Sequence, residues 1–405
     1  MEMEREKITA CYSQSTAELE ESKIKTFSRD SRTHTSYRVY DGESVGIQYV
    51  QGRTEDEAGY AKAKENLAVG RPYKFALETG SRHRDKTETD CSDRELMDIA
   101  RQALDYLKEH HPDFIFSGSV SAGRNIMAME NSLGLDYSNT DFNVSVSISY
   151  KHKDSKDIND GWFSIGQRTF DFKKFTDMAD NYLTNFTNMV ELPEELIIQA
   201  QYYGYIGKFW DCLNAENLAL GTSLLTGKTG EKVFSEDFTL MHDVSDKETW
   251  NNAFFDGEGV VLPEDKHIFI ENGVLLGGFA DKRIADKYGV PHTGSANFNF
   301  TDIPNNGSVN FRIKRSEKTV KELLGGRLTV VPIMAHGGGY NDKGEYVTPV
   351  ECAMLCDGER FIGRLPEFAI KGSMFDMFGK DFIGVGSDNP IFNDKQILMR
   401  MQYSK

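Results

Sequence analysis

Asp41-Gly42, Asn272-Gly273 and Asp357-Gly358 each separate two stretches rich in β-branched and aromatic residues. Such pairs tolerate the positive φ angles of a two-residue hairpin turn, so each marks two neighbouring strands that run antiparallel. They lie in TSYRVYDGESVGIQYVQG (35–52), KHIFIENGVLLGGFA (266–280) and YVTPVECAMLCDGERFIGRLPEFAIKG (346–372). FNVSVSISYKH (142–152) alternates strictly from Phe142 to Tyr150, with Val144, Val146 and Ile148 on one face. That period predicts a strand with one wet face, beside RNIMAMENSLGLDYS (124–138) in an antiparallel sheet.

Helices interrupt these strands. SDRELMDIARQALDYLKEHHPDF (92–114) opens on Ser92 as a cap, repeats apolar residues at Leu96, Ile99, Ala100, Ala103, Leu104 and Leu107, and must stop before Pro112. Helices are also expected in 55–70, 172–186 and SEKTVKELLGG (316–326), and in DKRIADKYG (281–289), capped by Asp281 and ended by Gly289. EELIIQAQ (194–201) reads as a strand, YYGYIGKFWDCLNAENLAL (202–220) as one helix, and EKVFSEDFTL (231–240), SVNFRIKR (308–315) and GRLTVVPIMAHG (326–337) as strands. A chain of 405 residues exceeds one usual core, and the texture shifts near Pro193, so two domains are expected, 1–190 and 191–405. The fold class is α+β: an N-terminal antiparallel sheet with helices, then a mainly antiparallel, hairpin-rich and barrel-like β domain with a few helices.

Sixty-three acidic against 47 basic residues give a net charge of -16, which opposes contact with a nucleic acid backbone. The basic clusters SRHRDK (81–86) and FRIKRSEK (311–318) are short, interleaved with acids, and read as solvated surface. No stretch is apolar enough for a signal peptide or a membrane span, so a cytoplasmic location is expected. Cys11, Cys91, Cys212, Cys352 and Cys356 are odd in number and scattered, which fits reduced thiols.

GTSLLTGKTG (221–230) imitates a phosphate-binding loop, but five residues rather than four separate Gly221 from Gly227-Lys228, and a strand-like stretch follows where a helix should. AHGGGY (335–340) resembles an esterase oxyanion loop, yet no G-x-S-x-G nucleophile elbow exists; SVSAG (119–123) is the nearest miss. Cys352 and Cys356 would stand about 13 Å apart along a strand, too far to share an ion, and read as core or edge thiols. The nine histidines form no H-E-x-x-H pair. Residue chemistry alone therefore yields no catalytic constellation.

The second half resembles the TldD/PmbA family, cytosolic peptidase proteins also called modulators of DNA gyrase. GTSLLTGKTGEKVFS (221–235), the 254–296 segment with its D-x-E-G-V, I-E-N-G-V-L and D-x-R elements, SEKTVKELLGG before LTVVPIM, CAMLCDGERFIGRLPEFAIKG and MFDMFGKDFIGVGSDNP (374–390) occur in family order. ENSLGLDYS and the 35–52 hairpin extend the likeness into the first half. TldD-type members carry H-E-x-x-x-H just before the glycine-rich stretch, for zinc and an activated water. Counting back from Gly221, this chain has Ile206, Gly207 and Asp211 there, Asn214 at the later acid, and no histidine in 195–225.

The resemblance thus implies the PmbA, TldE-like branch: no catalytic residue and no metal in this chain, with zinc only in a partner. The implied partners are a metal-bearing TldD-type homologue or a second copy of the chain, as a dimer, and small or unfolded peptides; neither nucleic acid nor membrane is expected. Two alternatives stand beside this reading. An independent metal-free hydrolase would use the family-like Asp281, Arg283, His292, Thr293 and Gly294, although Asp281 also reads as a helix cap and Thr293-Gly294 as a turn. A protein-binding regulatory module of the gyrase-modulator kind is the other.

Overall fold

Four strands of 17 or 18 residues build the first sheet: β1 (Glu4–Glu20), β2 (Lys23–Tyr40), and later β6 and β7. The structure, a computed structural model, describes residues 3–52, 54–245 and 252–404. β2 turns at Asp41-Gly42 into β3 (Ser44–Gln51), and α1 (Asp56–Glu65) leads to β4 (Arg71–Pro72) and β5 (Gly80–Asp85). After α2 (Asp93–His110) come β6 (Phe114–Asn131), β7 (Leu135–His152), β8 (Gly161–Gln167) and α3 (Phe172–Leu183). The sheet order is β4-β3-β2-β1-β6-β7-β5, with β8 also on β7; β5 runs parallel to β7 and the other pairs are antiparallel.

Ser92 caps α2 in a reciprocal capping box with Glu95. The apolar stripe Leu96, Ala100, Leu104 and Leu107 then packs, with Phe175 and Tyr182 of α3, on Val120, Val144, Val146 and Ile148. Burying each such aliphatic side chain stabilises the fold by about 1.5–3 kcal/mol. The opposite face of the sheet presents Ser145, Ser147 and Ser164.

The second half continues with β9 (Leu196–Gln201), α4 (Lys208–Cys212), α5 (Ala215–Leu220), β10 (Leu240–Asp243), β11 (Lys266–Glu271), β12 (Val274–Leu275), α6 (Lys282–Tyr288) and β13 (Phe311–Ile313). Then come α7 (Val320–Leu324), β14 (Thr329–Ala335), β15 (Gly339–Tyr340), β16 (Glu345–Cys356), β17 (Phe361–Arg364), β18 (Phe368–Ser373), α8 (Met374–Met377), β19 (Phe382–Val385) and β20 (Gln396–Ser404). The series β14-β9-β20-β18-β16 closes on itself through β14–β16, a five-stranded barrel. Its filling includes Ile198, Phe209, Phe238, Ile370, Phe378 and Met399, while β12-β11-β10-β13 form a smaller sheet. Val331, Cys352, Met354 and Cys356 of the barrel join the core of α2 and α3, which ties the two halves. No described helix is long and apolar enough to cross a membrane.

The α+β class is as expected, and Asn272 and Gly273, at φ 47° and 81°, make the anticipated turn between β11 and β12. Three expectations fail, and one strand went unread. Residues 202–220 are not one helix: a short 3-10 turn over Tyr202–Gly204 precedes α4, and Asn214, extended at ψ 118°, separates α4 from α5. Residues 231–240 are not a strand; Lys232 makes an isolated bridge to Val274 and pairing resumes at Leu240. β1 gave no signal, because its centre is polar and its turn uses Glu21-Ser22, both at positive φ without glycine. The basic clusters are not simply solvated: Arg82 pairs through both guanidinium nitrogens with Asp265 at 2.7 Å, Lys86 meets buried Asp141 at 3.1 Å, and Arg312 is buried. Each compensates a carboxylate or caps hydroxyls at the seam between elements, a use that local charge pattern does not disclose.

Candidate functional site

Ile206, Gly207, Asp211 and Asn214 do not converge. Gly207 keeps helical φ/ψ and leads into α4, whereas Asn214, at ψ 118°, leaves the helix and starts α5 instead. Ile206 is buried in the barrel core, Gly207 is exposed and carries no side chain, and Asp211 faces solvent with Lys208 at 3.4 Å. Asn214 caps α5, its Oδ1 accepting the Glu216 N–H at 3.0 Å. Two of the four positions offer no side-chain donor, Asp211 faces Lys208 and solvent, and Asn214 is committed to capping α5, so this segment does not fit a zinc ion. Among the described residues no three His, Cys, Asp or Glu side chains group for a metal.

The D-x-E-G element forms a tight buried loop. Asp256 Oδ1 accepts the N–H groups of Glu258 and Val260, both at 2.9 Å, and Oδ2 accepts that of Ala296 at 2.9 Å. Gly257 is obligatory, since a Cβ there would lie 2.0 Å from the Asn297 carbonyl oxygen. Glu258 accepts the Tyr73 hydroxyl at 3.0 Å and the Lys282 N–H at 2.9 Å. Burial, reinforced by neighbouring Asp256, pushes the Glu258 carboxyl above its ordinary range; burial also raises Asp256 against its three backbone donors.

Asp281 caps α6, its Oδ1 accepting the Ile284 N–H at 2.7 Å. Among the described residues its Oδ2 accepts no hydrogen bond, Arg283 lies 3.8 Å away, and burial raises its carboxyl. Thr293 is buried and accepts the Ala280 N–H at 2.9 Å. From Thr293 a relay passes through Ser295 (3.2 Å) and Asn306 (2.9 Å) to Asn214 (3.4 Å). The structure thereby links Thr293 to Asn214, whereas Arg283 and His292 are exposed outside this relay. Gly294, at φ +59°, packs on Leu262 and borders a cavity.

That cavity, about 340 Å3, is lined by Trp210 of α4, His242 of β10, Phe254, Asp256, Phe298 and Asn310, among others. His242 Nδ1 accepts the Asn310 N–H at 2.8 Å, which places its ring proton on Nε2. Burial lowers this imidazole to about 4, so it is neutral at physiological pH. Two further pockets adjoin. One of about 440 Å3 shares Asn252 and Asn310 with the first, and one of about 450 Å3 shares Ser164 and Gln201 with the second. Together they form a cleft between the serine face of the first sheet and the second half. Sequence reasoning missed this cleft, whose walls come from segments as far apart as Met127 and Phe392. The available hints were Trp162 and Trp210, rare side chains in polar surroundings.

Residues 197–397 match the PmbA/TldA metallopeptidase C-terminal domain. An uncharacterised protein of Methanocaldococcus jannaschii is 25% identical over 298 residues, 70% of this chain and 68% of that protein. A metalloprotease of Methanothermobacter thermautotrophicus is 28% identical over 177 residues, 43% of this chain and 38% of its own length. The structure of TldE from Thermococcus kodakarensis superposes with a TM-score of 0.81 at 20% identity, over 99% of this chain and 96% of that one. A Thermotoga maritima protein named as a candidate modulator of a DNA gyrase gives 0.79 at 19% identity, over 99% and 96%. At these identities the superpositions speak to the fold, and the domain match together with the family-ordered segments speaks to descent: the chain belongs to the PmbA/TldD family.

Proposed function

We propose that this chain is a non-catalytic subunit in cytosolic proteolysis, holding small or unfolded peptides for a zinc-bearing homologue with which it pairs. One observation carries the reading: the family's metal segment here offers Ile206, Gly207, Asp211 and Asn214, of which two lack a donor and one is a helix cap, while the surrounding fold and its cleft are intact. Losing ligands removes the chemistry of a metal site without removing the scaffold that positions a polypeptide.

The test is to purify the chain alone and together with its metal-bearing homologue. Expected are zinc only in the preparation containing the homologue, co-elution as one complex, and faster cleavage of an unfolded protein such as casein when this chain is added. Stoichiometric zinc in this chain alone, or separate elution with an unchanged cleavage rate, would refute the reading.

A further inference from the structure

We propose that the three-pocket cleft binds an extended, uncharged peptide segment, and that Trp210 and Trp162 at its two ends select two apolar side chains. This rests on the reading of the chain as a peptide-holding subunit and adds a specificity to it.

Each pocket contains one partly open aromatic residue: Trp210 is 39% exposed in the first, Tyr203 45% in the middle one, and Trp162 50% in the third. Singly exposed apolar side chains are ordinary, but here the open rings line adjoining pockets, and apolar surface gathered in a groove marks a place where a ligand binds. Trp210 is held edge-on against Phe311 and Phe279, with ring centroids at 4.9 and 6.0 Å, so its position is set before anything binds. The first pocket adds Phe254, Phe298, Val309 and neutral His242, and the third adds Tyr205, Tyr346 and Ile333. Each is of a size to take a side chain rather than a folded element.

Between these ends the lining changes chemistry. Asn143, Ser145, Gln201, Asn252, Asn310 and Asn393 surround the middle pocket. Asn310 and Asn393 already donate to the Asp243 and Gly166 carbonyls, which fixes their amides. Their amide oxygens, together with the Asn143 and Gln201 side chains and the Ser145 hydroxyl, present the donors and acceptors that complement the alternating N–H and C=O groups of an extended backbone. The charges are already balanced: Arg312 donates to the Tyr202 and Tyr203 hydroxyls and lies 3.6 Å from Asp394, and Asp256 is committed to three backbone N–H groups. A charged side chain in the middle would lose its hydration without gaining a partner. A phosphate polymer finds no excess cation here, in a chain of net charge -16.

The test uses the full chain without its homologue and a blocked, fluorescent decapeptide with Phe near each end and Gly, Ser and Gln between. Fluorescence anisotropy should show saturable binding, weakened at least 10-fold when either Phe becomes Ser or when Asp or Lys enters the middle. Trp210→Ala and Trp162→Ala should each weaken binding at least 10-fold, with Trp→Phe at the same positions restoring most of it. Equal binding by all peptides, indifference to both tryptophan replacements, or stronger displacement by a neutral oligosaccharide overturns the proposal. Pairing with the homologue is measured on the same variants. Intact pairing with absent peptide discrimination rejects the cleft alone; lost pairing with intact discrimination rejects the subunit role alone.

Discussion

The Tyr73 hydroxyl donates to Glu258 at 3.0 Å, binding a residue of the first half to the D-x-E-G loop of the second across 185 positions. The contact belongs to a buried chain of polar groups. Glu6 Oε1 accepts both Arg38 and Tyr40 at 3.0 Å, and Arg38 donates onward to the Asn299 carbonyl at 2.7 Å. Tyr40 and Tyr73 pack ring against ring with centroids 5.8 Å apart. A buried carboxyl group deprived of one hydrogen-bond partner is left unsatisfied, so Tyr73→Phe should destabilise the fold by about 1–3 kcal/mol. Urea denaturation monitored by circular dichroism should show an earlier midpoint; an unchanged midpoint would contradict this account.

Glu258 should also shape the alkaline limb of stability. Its folded pKa is raised, so between the ordinary value near 4.5 and the raised one the native state holds a proton that the unfolded chain has released. Stability from this group is therefore complete below the ordinary value and drains away as pH rises. Relative to the parent, Glu258→Gln should gain at least about 1 kcal/mol between pH 5 and pH 8. Parallel pH profiles of unfolding free energy for the two proteins would disprove it.

His242 acts on the acid side with the opposite sign. Its pKa is lowered from 6.5 to about 4, so in that interval the unfolded chain binds a proton that the native state refuses. Stability should fall as pH drops through this window, by up to about 3 kcal/mol from this one ring. His242→Gln should flatten that limb, read from urea midpoints at pH 4.5, 5.5 and 6.5.

Thiol reactivity should divide the five cysteines. Cys212, Cys352 and Cys356 are buried, and burial raises all three, Cys352 to about 11 and Cys356 to about 12. Cys11 and Cys91 are partly open, with Cys91 also pushed up, to about 11. Native protein at pH 8 should expose at most two titratable thiols to an aromatic disulfide reagent, with Cys11 faster than Cys91, and five after denaturation. Rapid native labelling of Cys352 or Cys356 would show that the core between barrel and helices opens.

Legibility along the chain follows how local each cause is. The Asp41-Gly42 and Asn272-Gly273 hairpins and the Ser92 cap were readable because cause and effect lie within a few residues. β1 was not, because Glu21-Ser22 turns without glycine and its polar centre, Ser13 to Thr16, shows no clean alternation. The break at Asn214 was outweighed by the apolar run around it. Closure of the barrel rests on Val330 beside Ile198 and Thr329 beside Cys356, pairings between distant segments with no local mark. The cleft is hidden for the same reason: Asn143, Gln201 and Asn310 meet only in three dimensions.

The place of β20 in the barrel has a consequence for biosynthesis. It lies between β9 and β18, pairing Met399 with Ile198 on one side and Ile370 with Tyr403 on the other. While a ribosome is still making the chain, β9 and β18 therefore expose two unsatisfied seams until residues 396–404 emerge, almost two hundred positions after β9. The first sheet needs nothing beyond β8 for its own pairing and can assemble earlier, so the nascent protein passes through a stage with one half paired and the other an open, sticky ring. Chaperones that act during translation would meet that half, and a premature stop within β20 would leave it permanently open.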